Sequence, residues 1–97
     1  MIFAELEYTQ DYWDVHDELL AYISGSFCKV QSGHQGDSWI WVFDGESKVE
    51  IDTFSSMKHQ VKCADKESQL VQEVIRLLSK KYQLRLLEKP ESEPHEE

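Results

Sequence analysis

The sequence predicts a single α+β domain, with two helices packed on one face of a mainly antiparallel sheet. Three observations support this fold class. Several segments alternate apolar and polar residues as strands do, two segments repeat apolar residues at helical spacing, and short turns join the strands between the two helices. The predicted order is β-α-β-β-β-β-α-β, for which the nearest named layout is a ferredoxin-like plan with an added hairpin.

The first strand and the first helix follow from the N-terminal residues. Residues 2–8 place apolar side chains at alternate positions, and Thr9 or Asp11 is positioned to cap the helix that follows. Residues 24–26, two serines around a glycine, end this helix. Its apolar stripe consists of Tyr12, Val15, His16, Leu19 and Ile23, with Leu20 beside it.

The middle of the chain predicts three strands that are separated by a loop and a hairpin turn. Residues 27–31 have the composition of a short strand, and the turn-forming residues of 32–37 indicate a loop. Residues 39–43 are β-forming residues in succession, followed by Asp44-Gly45, a dipeptide typical of a tight hairpin. This hairpin leads into a strand at 48–53.

The last part of the chain predicts a half-buried strand, a helix and a final strand. Residues 57–63 alternate apolar and polar positions, Asp65 is placed to cap the second helix, and residues 82–87 form the last strand. The apolar stripe of this helix consists of Leu70, Val71, Val74, Leu77 and Leu78.

The folded domain is expected to end at Leu87. Residues 88–97 contain two prolines, five Glu and one Lys, and they have no apolar side chain that could anchor them. This is the composition of a disordered segment. We therefore assign residues 1–87 to the domain and residues 88–97 to an acidic tail.

Strand alternation predicts an aromatic surface on the side of the sheet that the helices leave uncovered. An even-numbered loop between 39–43 and 48–53 places the aliphatic residues of both strands on one face. The opposite face then carries Trp39, Trp41 and Phe43, which are the predicted partner-binding residues. The aliphatic residues expected to share the core face are Ile40, Val42, Val49 and Ile51, and a three-residue loop at 55–57 places Val61 beside Ile51.

Three interpretations of these aromatic residues remain open. In the first, the rings lie over charged side chains and only shield the sheet. In the second, they bind a second copy of the chain, and in the third they bind a different protein. The first interpretation predicts that the rings contribute to stability alone. The other two predict an exposed patch that associates.

The charge of the chain excludes some classes of partner. The formal net charge is −9, and the basic residues form only one short group near the second helix, so neither nucleic acid nor an anionic membrane is an expected partner. A sheet that stacks single-stranded RNA would have suitable aromatics but the wrong charge. A protein with a basic surface fits better, and a small acidic inhibitor of a basic enzyme is one form of this function.

The cysteines and the N-terminus indicate a reducing cytoplasm. Cys28 and Cys63 lack the paired spacing of zinc ribbons and are too few for a disulfide framework. Residues 1–7 include acidic side chains where a signal peptide has basic ones, and no apolar run approaches the length of a membrane span.

The predicted function is therefore a non-enzymatic protein–protein interaction module, with no cofactor and no metal. Asp14 and Asp17 are neighbours on one helical turn, but acids at the start of a helix more often form a solvated face. The alternative is a small enzyme or ligand-binding domain, with a pocket near His16, His59 and Cys63 between the sheet and the helices.

Overall fold

The computed structural model describes residues 1–65 and 67–91 of the chain. The described residues form six strands and two helices in the predicted order, so the α+β class is confirmed. In chain order the elements are β1 (Ile2–Glu7), α1 (Tyr12–Ser24), β2 (Lys29–Gln35), β3 (Asp37–Asp44), β4 (Ser47–Asp52), β5 (Gln60–Lys62), α2 (Gln69–Ser79) and β6 (Gln83–Glu91).

These strands form a single sheet in the order β2-β3-β4-β5-β1-β6, and all neighbouring strands are antiparallel. Strands β6, β1, β5 and β4, together with the two helices, follow the ferredoxin-like plan. The β2-β3 hairpin extends the sheet beyond β4. The register of β1 shifts between Ile2 and Ala4 in both of its pairings. The two edges of the sheet are therefore β2 and β6.

The cross-strand register confirms the predicted division of the sheet into two faces. Ile40 pairs with Ile51 and Val42 pairs with Val49, while Ile51 also pairs with Val61. These five residues are fully buried under the helices. They form the core together with Phe3, Ala4, Leu6, Val15, Leu19, Ile23, Cys63, Leu70, Val71, Val74 and Leu78.

Both helices lie on this aliphatic face. Helix α1 packs over β2 and β3, and α2 packs over β4, β5 and β6. The Asp11 carboxylate caps α1, because its Oδ1 accepts a hydrogen bond of 2.8 Å from the backbone N–H of Trp13. No helix of the described residues combines the length and the apolar character needed to cross a membrane.

The predicted cap of α2 at Asp65 is wrong. The residue before the helix is Ser68, whose side chain makes no capping hydrogen bond. Asp65 closes the turn that precedes the helix: its Oδ1 accepts a hydrogen bond of 2.9 Å from the N–H of Glu67, and its backbone oxygen accepts one of 3.2 Å from the N–H of Ser68. Aspartate favours both caps and such turns, and the sequence alone does not separate the two.

The predicted loop at 32–37 is instead the end of the β2-β3 hairpin. Ser32 pairs with Ile40 and Gly33 with Trp39, so cross-strand contacts override the turn propensity of these residues. The reversal takes place at Gly36, whose φ of 77° lies in the region that glycine adopts without strain.

The final strand extends beyond the predicted domain end at Leu87. Residues 88–91 continue β6, and Glu91 pairs with Ile2. Strand β6 is an edge strand, so one of its sides has no neighbouring strand. Pro90 has no N–H to donate, and such a position is tolerated in an edge strand. The first part of the predicted tail therefore belongs to the sheet, whereas residues 92–97 lie outside the described residues.

Candidate functional site

The predicted aromatic residues lie on the outer face, which is the side of the sheet opposite the helices. Trp39 pairs with Asp52, Trp41 with Glu50 and Phe43 with Lys48, and paired side chains share a face. We call Trp39, Trp41 and Phe43 the aromatic row. All three side chains are half-buried.

The rings of the aromatic row contact one another along the strand. The ring centroids of Trp39 and Trp41 are 4.4 Å apart with an angle of 39° between the planes. Phe43 meets Trp41 edge to face, with centroids 6.5 Å apart. The ammonium group of Lys48 lies 4.5 Å from the Trp41 ring centroid, a cation–π contact that holds this ring from the side of β4. The row is thus a continuous surface of ordered rings.

Gly33 allows the indole of Trp39 to lie across β2. A Cβ atom on Gly33 would be 2.2 Å from Nε1 of Trp39 and 2.3 Å from its Cε2, so a side chain at this position would displace the ring. An aromatic ring that covers a cross-strand glycine protects the sheet backbone where the glycine offers no side chain. The aromatic row therefore reaches to the edge strand of the sheet.

A buried ion pair lies beside the aromatic row. Lys62 Nζ is 2.6 Å from Asp52 Oδ1, and the side chains of both residues are almost completely buried. Burial raises the pKa of Asp52, whereas the hydrogen bond and the charge of Lys62 act in the opposite direction. The ion pair places a neutralised charge in the centre of the outer face.

Several polar atoms of the outer face lack hydrogen-bond partners among the described residues. These atoms are buried, and they are Trp41 Nε1, Asp52 Oδ2 and Gln60 Oε1. Buried polar atoms are nearly always hydrogen-bonded in proteins, so a group of unpaired ones on one face requires an explanation. The outer face therefore has half-buried aromatic rings and, beside them, one buried hydrogen-bond donor and two buried acceptors without partners among the described residues.

The structure brings together two of the three residues of the alternative site, His16 and His59. Ser38 Oγ lies between them, 2.5 Å from His16 Nδ1 and 2.7 Å from His59 Nε2. The hydroxyl of Tyr8 extends the chain, at 2.8 Å from His59 Nδ1. We call these four residues the histidine cluster. Ser38 and Tyr8 were not predicted, although Ser38 shares its strand face with Ile40 and Val42.

Burial governs the chemistry of the histidine cluster. It lowers the pKa of His59 to about 4, and the neighbouring His16 and His34 act in the same direction. Burial also lowers the pKa of His16 and raises the pKa of Tyr8 to about 12. Ser38 and His59 are fully buried, so no substrate reaches the hydroxyl in this arrangement. The cluster is a polar part of the core.

Cys63 does not join the histidine cluster. It follows β5 whereas His59 precedes β5, so the two residues lie at opposite ends of this strand. The Cys63 thiol donates a hydrogen bond of 3.3 Å to the backbone oxygen of Lys48. Cys63 instead lines a surface cleft of about 470 Å³ at that end of the sheet. The predicted pocket with all three residues is therefore not formed.

One group of side chains near the histidine cluster has metal-binding residue types. His16, Asp17 and His34 each place a ligand atom within 4.8 Å of the others. However, the rings of His16 and His34 are stacked, with centroids 4.1 Å apart and only 22° between the planes. The ring of Trp13 also contacts His34, with centroids 3.8 Å apart. A metal ion lies in the plane of each imidazole that binds it, and nearly parallel stacked planes do not meet near the two nitrogens. The arrangement is an aromatic stack rather than a formed metal centre.

Comparison of this chain with protein-family models, with curated proteins and with solved structures produced no match. Its own side chains are therefore the basis for assigning a function. Of the two candidate sites, the histidine cluster has Ser38 and His59 fully buried, whereas the aromatic row is half-exposed on the outer face.

Proposed function

We propose that this chain is a cytoplasmic, non-enzymatic protein–protein interaction module that binds its partner through the aromatic row. The observation that carries the proposal is the position of Trp39, Trp41 and Phe43 on the face that neither helix covers. Tryptophan and other aromatic side chains are enriched at the centres of protein interfaces, where they supply most of the binding energy.

The ordering of the rings supports binding. Each ring of the aromatic row is held by a neighbour, and Trp41 is held between the other two and the Lys48 ammonium. Side chains that are ordered before association lose little conformational entropy when a partner contacts them.

The charges of the outer face favour a protein over a nucleic acid. Two lysines of this face are matched with acids: Lys62 of β5 with Asp52 of β4 at 2.6 Å, and Lys48 with Glu50 of the same strand β4 at 3.7 Å. Phosphate binding relies on basic groups that are free to replace counterions. A protein surface that is apolar at its centre and polar at its rim is more complementary to a face of aromatic rings and paired charges.

The cytoplasmic assignment in this proposal is supported by the cysteines. Cys28 is exposed and Cys63 is buried, and both are free thiols. Exposed free thiols are typical of compartments that keep cysteines reduced.

The experiment that tests the function replaces Trp41, the central ring, by serine. We expect Trp41→Ser to weaken association at least about tenfold, since loss of an aromatic anchor removes more than about 1.4 kcal/mol of binding free energy. The free energy of unfolding should fall by only about 1–2 kcal/mol. Sedimentation equilibrium measures self-association. Proteins that the wild type captures from a native extract are repurified, and their binding to the wild type and to the variant is then titrated.

Trp13→Ser is the matched control, because it removes an indole that is 48% exposed on the helix side of the sheet. This variant should associate like the wild type. The proposal fails if Trp41→Ser leaves every association unchanged. It also fails if the wild type is monomeric and binds no protein while Trp41→Ser unfolds the chain.

A further inference from the structure

The two edges of the sheet differ in their protection against pairing with another strand. Edge strand β6 contains Pro90 and several charged side chains, and its register with β1 is irregular. These features commonly prevent a further strand from pairing. Edge strand β2 has no proline, and its one charged residue is Lys29. Strand β2 is therefore the edge that remains open.

The hydrogen bonds of Ser38 show which residues of β2 face that open edge. The backbone oxygen of Ser38 accepts a hydrogen bond of 3.0 Å from the N–H of Thr53, and the Ser38 N–H donates to Thr53 Oγ1 at 3.1 Å. Both backbone groups of Ser38 thus point toward β4 and away from its β2 partner, His34. In an antiparallel pair this makes His34 a residue whose N–H and C=O point away from β3.

The same orientation recurs at every second residue along β2. Val30 and Ser32 therefore share it with His34. None of the backbone hydrogen bonds that the described residues make outside their own helices and strands involves these residues. The edge of β2 thus presents a regular row of outward-facing donors and acceptors.

We propose that β2 pairs with β2 of a second copy of this chain, antiparallel and centred on Ser32. Ser32 is the middle residue of a strand of seven residues. Pairing about this residue places Val30 of one copy opposite His34 of the other, so the outward-facing groups of both strands are used together. A two-fold axis makes the two halves of the interface identical, which is the commonest symmetry of protein dimers.

The charges of β2 fit a second copy. In this register Lys29 lies opposite Gln35 of the second copy, so no like charges face each other across the new pair. Strand β2 contains no acidic residue. In a chain with a formal net charge of −9, such a segment is a place where two copies approach with little repulsion.

Trp39 connects this edge with the aromatic row. Its indole lies over Gly33, the residue of β2 with which it pairs. The proposed register places Gln31 of the second copy beside Gly33, where it packs against this indole. Because this contact uses Trp39 of the aromatic row, the inference rests on the proposed function. It identifies the partner as a second copy of the chain.

The test removes the outward-facing N–H of Ser32. In Ser32→Pro the ring replaces this N–H while the hydrogen bonds between β2 and β3 remain, because proline is tolerated at such edge positions. Ser32→Thr is the matched control, since it keeps the N–H and favours a strand. Sedimentation equilibrium should show dimers for the wild type and Ser32→Thr, and at least about tenfold weaker association for Ser32→Pro.

Hydrogen exchange gives a second measurement on the unaltered chain. The amides of Val30, Ser32 and His34 should exchange more slowly as the protein concentration rises, because dimerisation protects them. A wild type that stays monomeric at all concentrations overturns the inference. So does a folded Ser32→Pro variant that dimerises like Ser32→Thr, or amide exchange at β2 that is independent of concentration.

The failures of the inference and of the proposed function are distinguishable. If Trp41→Ser abolishes association and Ser32→Pro does not, the aromatic row binds without the edge and the inference is wrong. If Ser32→Pro abolishes all association and Trp41→Ser abolishes none, the dimer forms through β2 and the proposed role of the row is wrong.

Discussion

The Ser38 hydroxyl forms hydrogen bonds with two imidazole rings, as the donor to one and the acceptor from the other. Its oxygen is within hydrogen-bond distance of His16 Nδ1 and His59 Nε2, so one nitrogen donates to it while the other accepts its proton. When both rings are neutral, the chain of hydrogen bonds runs in either direction and ends at the Tyr8 hydroxyl. If both rings were protonated, the hydroxyl would receive two donors and its proton would lose both acceptors. The cluster therefore favours uncharged rings.

The low pKa of His59 predicts that the fold weakens as the pH falls. Above pH 6.5 the imidazole is neutral in the folded and unfolded states, and below that value the unfolded chain takes up a proton that the folded chain, with a pKa of about 4, does not bind. Stability should therefore fall by about 2 kcal/mol between pH 6.5 and pH 5, and the fall should stop growing below about pH 4.

Urea unfolding at several pH values measures how the free energy of unfolding changes with pH. The variant His59→Gln should lack the part of this change that His59 causes. An NMR titration of the wild type adds a direct reading, because the His59 ring signals should not shift until the pH approaches 4. Constant stability between pH 7 and pH 5, together with a ring that titrates near 6.5, would contradict the prediction.

At the scale of the elements, helix α2 provides much of the cover of the sheet. Val74 is fully buried at the centre of its apolar stripe, whereas Leu77, which the sequence also assigned to the stripe, is half-buried. The backbone oxygen of Leu77 accepts a hydrogen bond of 2.7 Å from the Tyr22 hydroxyl, which ties α2 to α1. The helix thus contacts both the sheet and its neighbour.

Truncating Val74 to alanine should lower the free energy of unfolding by about 2–4 kcal/mol, because the surrounding strands cannot collapse into the space left. Chemical denaturation measures the change. The exposed Gln72→Ala on the same helix is the control, with an expected change below about 0.5 kcal/mol. A change at Val74 as small as that at Gln72 would mean that α2 does not pack on the sheet through this residue.

The sequence predicts elements well where one face of a strand is buried. Alternation places Ile40 and Val42 on the core side and, by parity, fixes Trp41 on the other, since a shift of one residue would exchange the faces. The two edge strands are harder to predict, because only one of their sides pairs and polar residues are tolerated there. Gly33 in β2 and Pro90 in β6 are therefore typical of turns by composition, although both lie in strands.

The histidine cluster shows a second limit of prediction. Tyr8 and His59 are 51 positions apart, and their contact depends on the pairing of β1 with β5. Spacing within one element predicts which residues share a face, and it gives no information on which faces meet. His16 and His59 are predicted as neighbours only because the helices are expected to pack on the sheet. The position of Ser38 between them, and of Cys63 at the far end of β5, depends on the order of the strands in the sheet.

For the molecule as a whole, the sheet separates a closed side from an open one. The helices cover the aliphatic face, and the described part of the outer face holds the aromatic row and the buried pair of Asp52 and Lys62. The open edge β2 adjoins this same face, because Trp39 lies over Gly33. A surface and an edge that could both associate are therefore continuous in this fold.

The charge of the whole molecule predicts that this aromatic face does not bind single-stranded RNA. Stacking platforms for RNA place aromatic rings among unpaired cations, whereas Lys48 and Lys62 are matched here by Glu50 and Asp52, in a chain with a formal net charge of −9. Fluorescence anisotropy with a labelled uridine oligonucleotide should show no binding at about 200 mM salt and none that strengthens steeply toward about 50 mM. A basic single-strand-binding protein is the positive control for the assay. Micromolar binding with a steep salt dependence would show instead that the rings act as a stacking platform, and Trp41→Ser should then abolish it.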